Sequence, residues 1–275
     1  MSYTKKNISK SDLEKLYYND GLSTLKIAKI YNCNYQTIIN RLKEYSIKLK
    51  SKSESQTRYQ KNNFSGDKSE KAYILGFRTG DLSSYMPNSE TSQIIVIRCH
   101  STEFEQIELI ESLFDKYGKV TVSSNNGHYH VNCFLDKSFK FLLKKIKIVP
   151  RWLDKDNEFG WSFTAGYFDA EANFGLNQGR GRLKVESYDK NVLYWIHEFL
   201  EKQAIKTKFY QVGKKGDKRT DGTYFNEDLW RLNVNEARSL LNLINSLGLR
   251  HKKMERRALV VKNNILDRIK KGTIK

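Results

Sequence analysis

The apolar residues of segment 10–48 recur with a helical period, and the segment contains no proline. They fall on the inward faces of three successive helices: Leu13, Leu16 and Tyr17; Ile27, Ala28 and Tyr31; Ile38, Ile39 and Leu42. Asn32-Cys33-Asn34 predicts a tight turn before the third helix, because Asn tolerates a left-handed backbone. Residues 1–50 are therefore predicted to form a small all-α domain.

The outward positions of the third predicted helix carry side chains that commonly bond base edges and phosphates: Tyr35, Gln36, Thr37, Asn40 and Arg41. The small Ala28, the turn at Asn32 and the apolar Ile38 resemble a helix-turn-helix of the homeodomain-like kind. This resemblance predicts contact with DNA. The alternative is a small helical bundle that docks on a protein.

Residues 51–68 are polar and nearly free of aliphatic side chains, which predicts a linker. The overlapping basic segment 46–60 suits an arm that lies along a groove of DNA, and a solvated spacer is the alternative.

Two apolar segments of the remaining chain each end in an acid: "AYILGFRTGD" and "WSFTAGYFDAE". Gly76 and Gly166 are separated by ninety residues, and so are Asp81 and Glu171. After each segment the pattern predicts two strands, a helix, two strands and a helix, the last helix of the first series covering 138–146. Such matched series indicate one structural unit used twice, over 69–150 and 151–275, and an α+β fold class.

Charge narrows the class of partner. The chain has 275 residues, 49 Lys and Arg against 31 Asp and Glu, and a formal net charge of +18. Such a surplus predicts a polyanionic partner, either nucleic acid or an anionic membrane. No apolar run is long enough for a membrane span, and the N-terminus lacks the apolar core of a secretory signal. Three distant cysteines argue against a disulfide framework and a zinc site. We therefore expect a nucleic-acid partner, no membrane, and a prokaryotic cytoplasm or an organelle.

The stretches "LGFRTGDL" at 75–82 and "TAGYFDAEA" at 164–172 resemble the motifs of single-chain LAGLIDADG homing endonucleases, and the resemblance extends over residues 69–265. It implies two αββαββα repeats that form a saddle over double-stranded DNA. It further implies that Gly76 and Gly166 let the two motif helices pack closely, so that Asp81 and Glu171 share a Mg²⁺ site in which Mn²⁺ can substitute. The implied activity is double-strand cleavage of a long asymmetric site by a monomer, with no small-molecule substrate.

The resemblance also assigns individual residues. Family motifs often carry an acid at the sixth position, where this chain has Thr79 and Asp169. We expect Asp169 to cap or pack rather than to bind metal. The family often places a lysine near the active site after the fourth strand, and Lys137 is that candidate, with a surface lysine as the alternative.

Base contacts are expected from strand residues on one face of each sheet. In the first repeat a spacing of two favours Arg98, His100, His128 and His130. His128 and His130 have no third metal ligand nearby in the sequence, so we do not expect a metal site there. The corresponding candidates in the second repeat are Arg180, Arg182, Lys184, Lys208 and Arg231, with Lys214 and Lys215 in a basic loop and Lys252 after the last predicted helix.

Two other functions stay open on the same fold. One is a DNA-binding regulator that has lost catalysis, and the other is an RNA maturase. Retention of both Asp81 and Glu171 favours the endonuclease over the regulator. The predicted helix-turn-helix favours duplex DNA over RNA.

Overall fold

The computed structural model of the protein describes residues 8–50, 61–88 and 92–274. The chain divides into two compact units, Met1–Gln60 with Asn88–Gln93, and Lys61–Pro87 with Ile94–Lys275. Residues 51–60, which hold most of the predicted linker and its basic arm, lie outside the described residues.

The first unit is built from three short helices. Helix α1 (Lys10–Glu14) continues into a π-helical turn (Lys15–Asn19) and is followed by α2 (Thr24–Ile30) and α3 (Tyr35–Glu44). Side chains of Ser9, Ser23 and Asn34 accept hydrogen bonds at the three N-termini, which satisfies backbone N–H groups that lack helical partners. Asn32 has φ of 45°, as the predicted turn requires.

The core of the first unit contains the inward residues that the helical period predicts, except Ile39, which is half-buried and outside this core. Its fully buried members are Ile8, Leu13, Tyr17, Ile27, Ala28, Ile38, Leu42 and Ile47. Leu16 and Tyr31 pack against them with part of their surface exposed. The first helix begins at Lys10 with Ser9 as its N-cap, and Ser11 lies inside the helix.

The second unit contains the predicted duplication. Its first half comprises α4 (Lys68–Gly80), β1 (Ser83–Tyr85), β2 (Ile94–Ser101), α5 (Phe104–Phe114), β3 (Lys119–Asn125) and β4 (His128–Asp136). Its second half comprises α6 (Asn157–Glu171), β5 (Ala172–Asn177), β6 (Arg180–Ser187), α7 (Lys190–Lys202), β7 (Lys208–Gly213), β8 (Leu229–Val234) and α8 (Ala237–Ser246). The strand orders β1-β2-β4-β3 and β5-β6-β8-β7 are equivalent, and every pairing is antiparallel. The α+β prediction is confirmed.

One buried core joins the two halves. Helices α4 and α6 lie against each other along their lengths, with Tyr73, Phe77, Phe163 and Tyr167 fully buried between them and the sheets. The repeats predicted as 69–150 and 151–275 therefore belong to one compact unit.

The prediction of a helix over 138–146 is wrong in both its type and its length. The structure has a 3₁₀ helix at Lys137–Leu142 and a second one at Arg151–Lys155. The carbonyl oxygen of Leu142, which a continuing α-helix would use, accepts hydrogen bonds from Arg78 Nε at 3.0 Å and Ser84 Oγ at 2.5 Å. Tertiary contacts therefore end the helix early.

A long C-terminal helix, α9 (Lys252–Lys270), was not predicted. His251 is its N-cap, so Lys252 begins a helix instead of following the last one. The buried face of α9 includes Val261 and Ile265, and a Cβ on Gly181 of β6 would lie 2.7 Å from Val261 Cγ1. Gly181 thus lets α9 approach the sheet closely. None of the described helices is long and apolar enough to span a membrane.

The segment 61–67, assigned to the linker from the sequence, is docked on the first half of the second unit. Asn62 N donates to Tyr117 O at 2.9 Å, and Phe64 N donates to Ser138 Oγ at 2.9 Å. The Phe64 ring lies 5.3 Å from that of Phe139. The folded second unit therefore begins at Lys61.

Candidate functional site

Two glycines allow the two central helices, α4 and α6, to touch through their backbones. A Cβ on Gly76 would lie 2.8 Å from Tyr167 N, and the Phe163 carbonyl oxygen lies nearer still. A Cβ on Gly166 would lie 3.0 Å from Phe77 N, with the Tyr73 carbonyl oxygen nearer. Real Cβ atoms do not approach backbone atoms this closely, so only glycine is accommodated at either position. The predicted helix-interface role of Gly76 and Gly166 agrees with this geometry.

The two central helices end side by side, which brings their terminal acids together. Gly80, the last residue of α4, touches Ala170, and a Cβ on it would lie 3.4 Å from Glu171 Oε1. Asp81 follows immediately as the C-cap of α4. Gln106 of α5 donates from Nε2 to Asp81 Oδ2 at 2.8 Å, which orients this carboxylate.

Both carboxylates are harder to ionise than free acids. Loss of hydration around the Asp81 carboxylate raises its pKa to about 6, and the hydrogen bond from Gln106 opposes this rise. The residue as a whole is nevertheless exposed at the surface. Loss of hydration also raises the pKa of Glu171 to about 7, and the negative charge of Asp81 adds to this rise. Two acids that repel each other at the end of a helix pair favour binding of a cation.

The surroundings of the two acids differ. Asp81 lines a cleft of about 640 Å³ together with His100, His130, Gln106, His251 and Lys253. On the Glu171 side, Lys145 favours the ionised carboxylate, and its Nζ lies 2.8 Å from Asp189 Oδ2. A lysine therefore acts on Glu171, whereas Lys253 lines the Asp81 cleft and pairs with Glu103 at 2.6 Å. The sequence did not single out Lys145, because it lies in a basic run with no motif beside it.

The structure does not bring Lys137 to this site. Lys137 follows Asp136, which pairs with Ile94, whereas His130 of the cleft pairs with His100. Asp136 lies six residue steps along β4 from His130, about 20 Å at the usual rise. The adjacent Ser138 instead contacts Phe64. Lys137 is exposed at the opposite end of β4, away from the cleft, and its catalytic role stays a prediction.

Asp169 has a packing role. It is 1% exposed, and its Oδ2 accepts hydrogen bonds from Tyr73 Oη at 2.5 Å and from Arg250 N at 2.7 Å. Loss of hydration raises its pKa to about 6. The equivalent Thr79 is also buried, and its hydroxyl donates to Leu75 O at 2.7 Å. Asp169 thus links a tyrosine of the first half to the segment before α9, as expected of a packing residue.

The first sheet aligns the four predicted base-contacting residues on one face. Register places Arg98 opposite Asn132 and His100 opposite His130, and alternation along β4 puts His128 on the same face. Arg98 is already held, because Nε donates to Asn132 Oδ1 at 3.0 Å and Nη2 donates to Tyr85 Oη at 2.9 Å. The expected shared face is therefore present.

The second sheet carries a basic face that is partly neutralised. Arg180 and Arg182 are exposed at alternate positions of β6, and Lys208 is exposed on β7. Arg231 and Lys184 both pair with Glu186, the latter at 3.2 Å. The pairing of Glu186 with Arg231 could not be predicted from the sequence, because it depends on the strand register that places the two residues opposite each other. Lys214 and Lys215 are exposed in the following loop.

Lys252 is engaged within the second unit. Its Nζ lies 3.0 Å from Glu108, while Lys253 and Arg256 pair with Glu103 at 2.6 Å and Glu105 at 2.5 Å. These pairs connect α9 to α5. The positive charge of Lys252 is therefore partly neutralised by Glu108. The sequence analysis gave Lys252 as a candidate for DNA contact and did not predict this pairing.

The predicted DNA-contacting helix of the first unit keeps most of its polar side chains accessible. Tyr35, Gln36 and Asn40 are exposed, and Thr37 is half-buried. Arg41 is half-buried and pairs with Glu44 at 2.5 Å. Contact of this helix with DNA stays a prediction.

Within residues 8–50, 61–88 and 92–274, no group of three or more His, Cys, Asp or Glu side chains is placed to hold a metal ion. An ion at Asp81 and Glu171 would therefore need further ligands other than such side chains. Mg²⁺ commonly binds in this way, through one or two carboxylates, several waters and substrate phosphates. The two acids satisfy that pattern.

Comparison with known proteins assigns part of the chain. Residues 160–248, in the second half of the second unit, match the family model described as a LAGLIDADG-like domain. No curated protein matches the chain. The resemblance to LAGLIDADG proteins is thereby confirmed.

Solved structures of similar fold include the homing endonuclease I-DmoI and DUF199/WhiA. I-DmoI in complex with DNA and Mn is 16% identical, with 67% of this chain and 98% of that chain covered and a TM-score of 0.47. Full-length DUF199/WhiA from Thermatoga maritima is 13% identical, with 75% of this chain and 63% of that chain covered and a TM-score of 0.45. At these values the likenesses carry no argument about activity.

Proposed function

We propose that this protein, whose residues 160–248 match the LAGLIDADG-like family model, is a divalent-metal-dependent endonuclease that cuts both strands of a long, asymmetric DNA site. One observation carries the proposal: Asp81 and Glu171 lie at the common end of two helices whose backbones touch, where loss of hydration and the charge of Asp81 raise the pKa of Glu171. A structural role alone does not explain why two repelling acids are held there.

The two acids are the residues that would hold the ions, with Mg²⁺ as the expected metal and Mn²⁺ able to replace it. The chemistry that such ions supply is polarisation of water and of the phosphate. Gln106 fixes the orientation of Asp81 through its 2.8 Å hydrogen bond. Lys145 favours the ionised form of Glu171, and Lys253 lines the Asp81 cleft. Each lysine is paired with an acid, Asp189 and Glu103 respectively, which reduces the positive charge that it would offer to a phosphate.

The basic sheet faces support duplex DNA as the substrate. The formal charge of +18 attracts a polyanion, and Arg180, Arg182 and Lys208 remain exposed on the second sheet. The two sheets carry different side chains, since Arg98 and three histidines lie on the face of the first sheet, whereas the face of the second carries arginines and lysines. A protein with two unlike faces is suited to two unlike half-sites, and a single chain that contains both halves is suited to act as a monomer.

The test is a cleavage selection. The full chain is incubated with a library of duplex sites in Mg²⁺, and cut molecules are sequenced. We expect wild type and Glu111→Gln, an exposed carboxyl change on α5, to cut the same sites. Asp81→Asn and Glu171→Gln should bind those sites without cutting them. Specific binding by the wild type without any cleavage would reject the enzyme and favour a DNA-binding regulator.

A further inference from the structure

Two histidines of the first sheet are joined by a hydrogen bond between their rings. His100 on β2 and His130 on β4 are direct partners in the strand register. Their Nδ1 atoms lie 3.0 Å apart, and the rings meet edge to face with centroids separated by 4.4 Å. This pair lines the same cleft as Asp81.

A hydrogen bond between two neutral imidazoles fixes both tautomers at once. A neutral ring has one N–H and one bare nitrogen. The ring that donates through Nδ1 must therefore carry a bare Nε2, which is an acceptor. The ring that accepts at Nδ1 must carry its proton on Nε2, which is a donor. The pair consequently presents one donor and one acceptor, and neither can change without the other.

These two Nε2 atoms are available to a ligand. Within the described part of the chain, neither makes a hydrogen bond to another protein group. His100 is exposed and His130 is half-buried on the sheet face that also carries Arg98 and His128. Nearby, Asn125 and Asn126 complete a polar rim. The acids Asp81, Glu103 and Asp169 line the same cleft, but their hydrogen bonds go to Gln106, Lys253, Tyr73 and Arg250 and not to either ring.

We propose that His100 and His130 act together as one base reader, which selects a base-pair edge that offers one hydrogen-bond acceptor and one donor and rejects an edge that offers two acceptors. The inference rests on the proposed function, because it takes duplex DNA as the ligand of this face. Every base pair exposes donors and acceptors in the major groove in a characteristic order. A reader with coupled tautomers discriminates by that order, whereas independent histidines can each adopt either role.

The coupling gives a specific experimental signature. Duplex sites are selected for binding in the presence of a metal chelator with the full-length wild type, His100→Ala, His130→Ala and the double variant. His128→Ala is the matched control, since it removes a histidine from the same face but outside the pair. Thermal melting confirms that these surface variants remain folded.

We expect each single variant to lose about tenfold or more of the base preference at the positions that the pair contacts. The double variant should lose no more than either single variant, because removing one ring already frees the tautomer of the other. His128→Ala should leave those positions unchanged.

Three results would overturn the inference. The first is independent, additive losses at separate base positions, which would mean two separate readers. The second is a preferred edge with two acceptors, and the third is unchanged selectivity in all variants. In these three cases a wild type that still cuts its site retains the proposed function. A wild type that selects no duplex sequence would reject both the inference and the proposed function.

Discussion

Substituting Gly76 with alanine should force the two central helices apart. The new Cβ would lie 2.8 Å from Tyr167 N and closer to the Phe163 carbonyl oxygen, both backbone atoms of α6. Carbon atoms prefer neighbours at roughly 3.5–4.0 Å, so relief requires the helix axes to separate by about 1 Å. A side chain could rotate away, but backbone atoms move only with their helix.

The expected destabilisation is about 2 kcal/mol. Overpacking in a buried interface costs roughly 1–3 kcal/mol, and contact with backbone atoms favours the upper end. Alanine recovers about 1 kcal/mol because it is a better helix former than glycine. The difference between these two contributions is a net loss of stability. In an isolated helix the same Gly→Ala substitution would be stabilising.

Urea unfolding followed by tryptophan fluorescence measures this loss directly. All four tryptophans lie in the second unit, so the signal reports on the helix pair. Gly248→Ala is the control, because a Cβ there meets nothing within 4 Å and its backbone is not left-handed. A Gly76→Ala protein as stable as the Gly248→Ala protein would refute close backbone contact between the helices.

Three further predictions concern the second unit, each measured by the same unfolding assay. Phe64→Ala should cost about 2 kcal/mol, because its half-buried ring packs on Phe139; no loss would mean that segment 61–67 is not docked. Tyr73→Phe should cost about 2 kcal/mol, since it removes the hydroxyl that donates to Asp169; unchanged stability would dismiss that link. With metal chelated, Glu171→Gln should be more stable than wild type at pH 8, and this advantage should shrink toward pH 5. The reason is that folding raises the pKa of Glu171 from 4.5 to about 7, so the folded carboxyl gains its proton in that window before the unfolded one does. An advantage that grows on acidification would contradict the raised pKa.

Local patterns predicted the elements and the duplication. The ninety-residue offset between Gly76 and Gly166 identified the helix pair before any contact was known, and the periodicity of Leu13, Ile27 and Ile38 identified the first core. Such features depend on neighbours in the sequence. Helix α9 was missed, but the same kind of pattern could have predicted it, because Ala258, Val261 and Ile265 recur on one helical face.

Contacts between distant segments were not predictable from the same patterns. Lys145 comes near Glu171, and Gln106 reaches Asp81, only through the packing of separate elements. The prediction of a helix over 138–146 was wrong because Arg78 and Ser84 donate hydrogen bonds to the carbonyl oxygen of Leu142. Lys137 was assigned by analogy of strand position, whereas the strand register places it at the far end of β4.

Strand-resolved cleavage of a selected duplex is the most direct test of the shared carboxylate site. Each strand carries a separate label, and wild type, Asp81→Asn and Glu171→Gln are compared in Mg²⁺ at equal occupancy of the DNA. We predict that wild type cuts both strands and that each substitution lowers cutting of both by about 100-fold or more, equivalent to about 2.7 kcal/mol of transition-state stabilisation. Undiminished cutting by both variants would show that Asp81 and Glu171 do not form the catalytic pair.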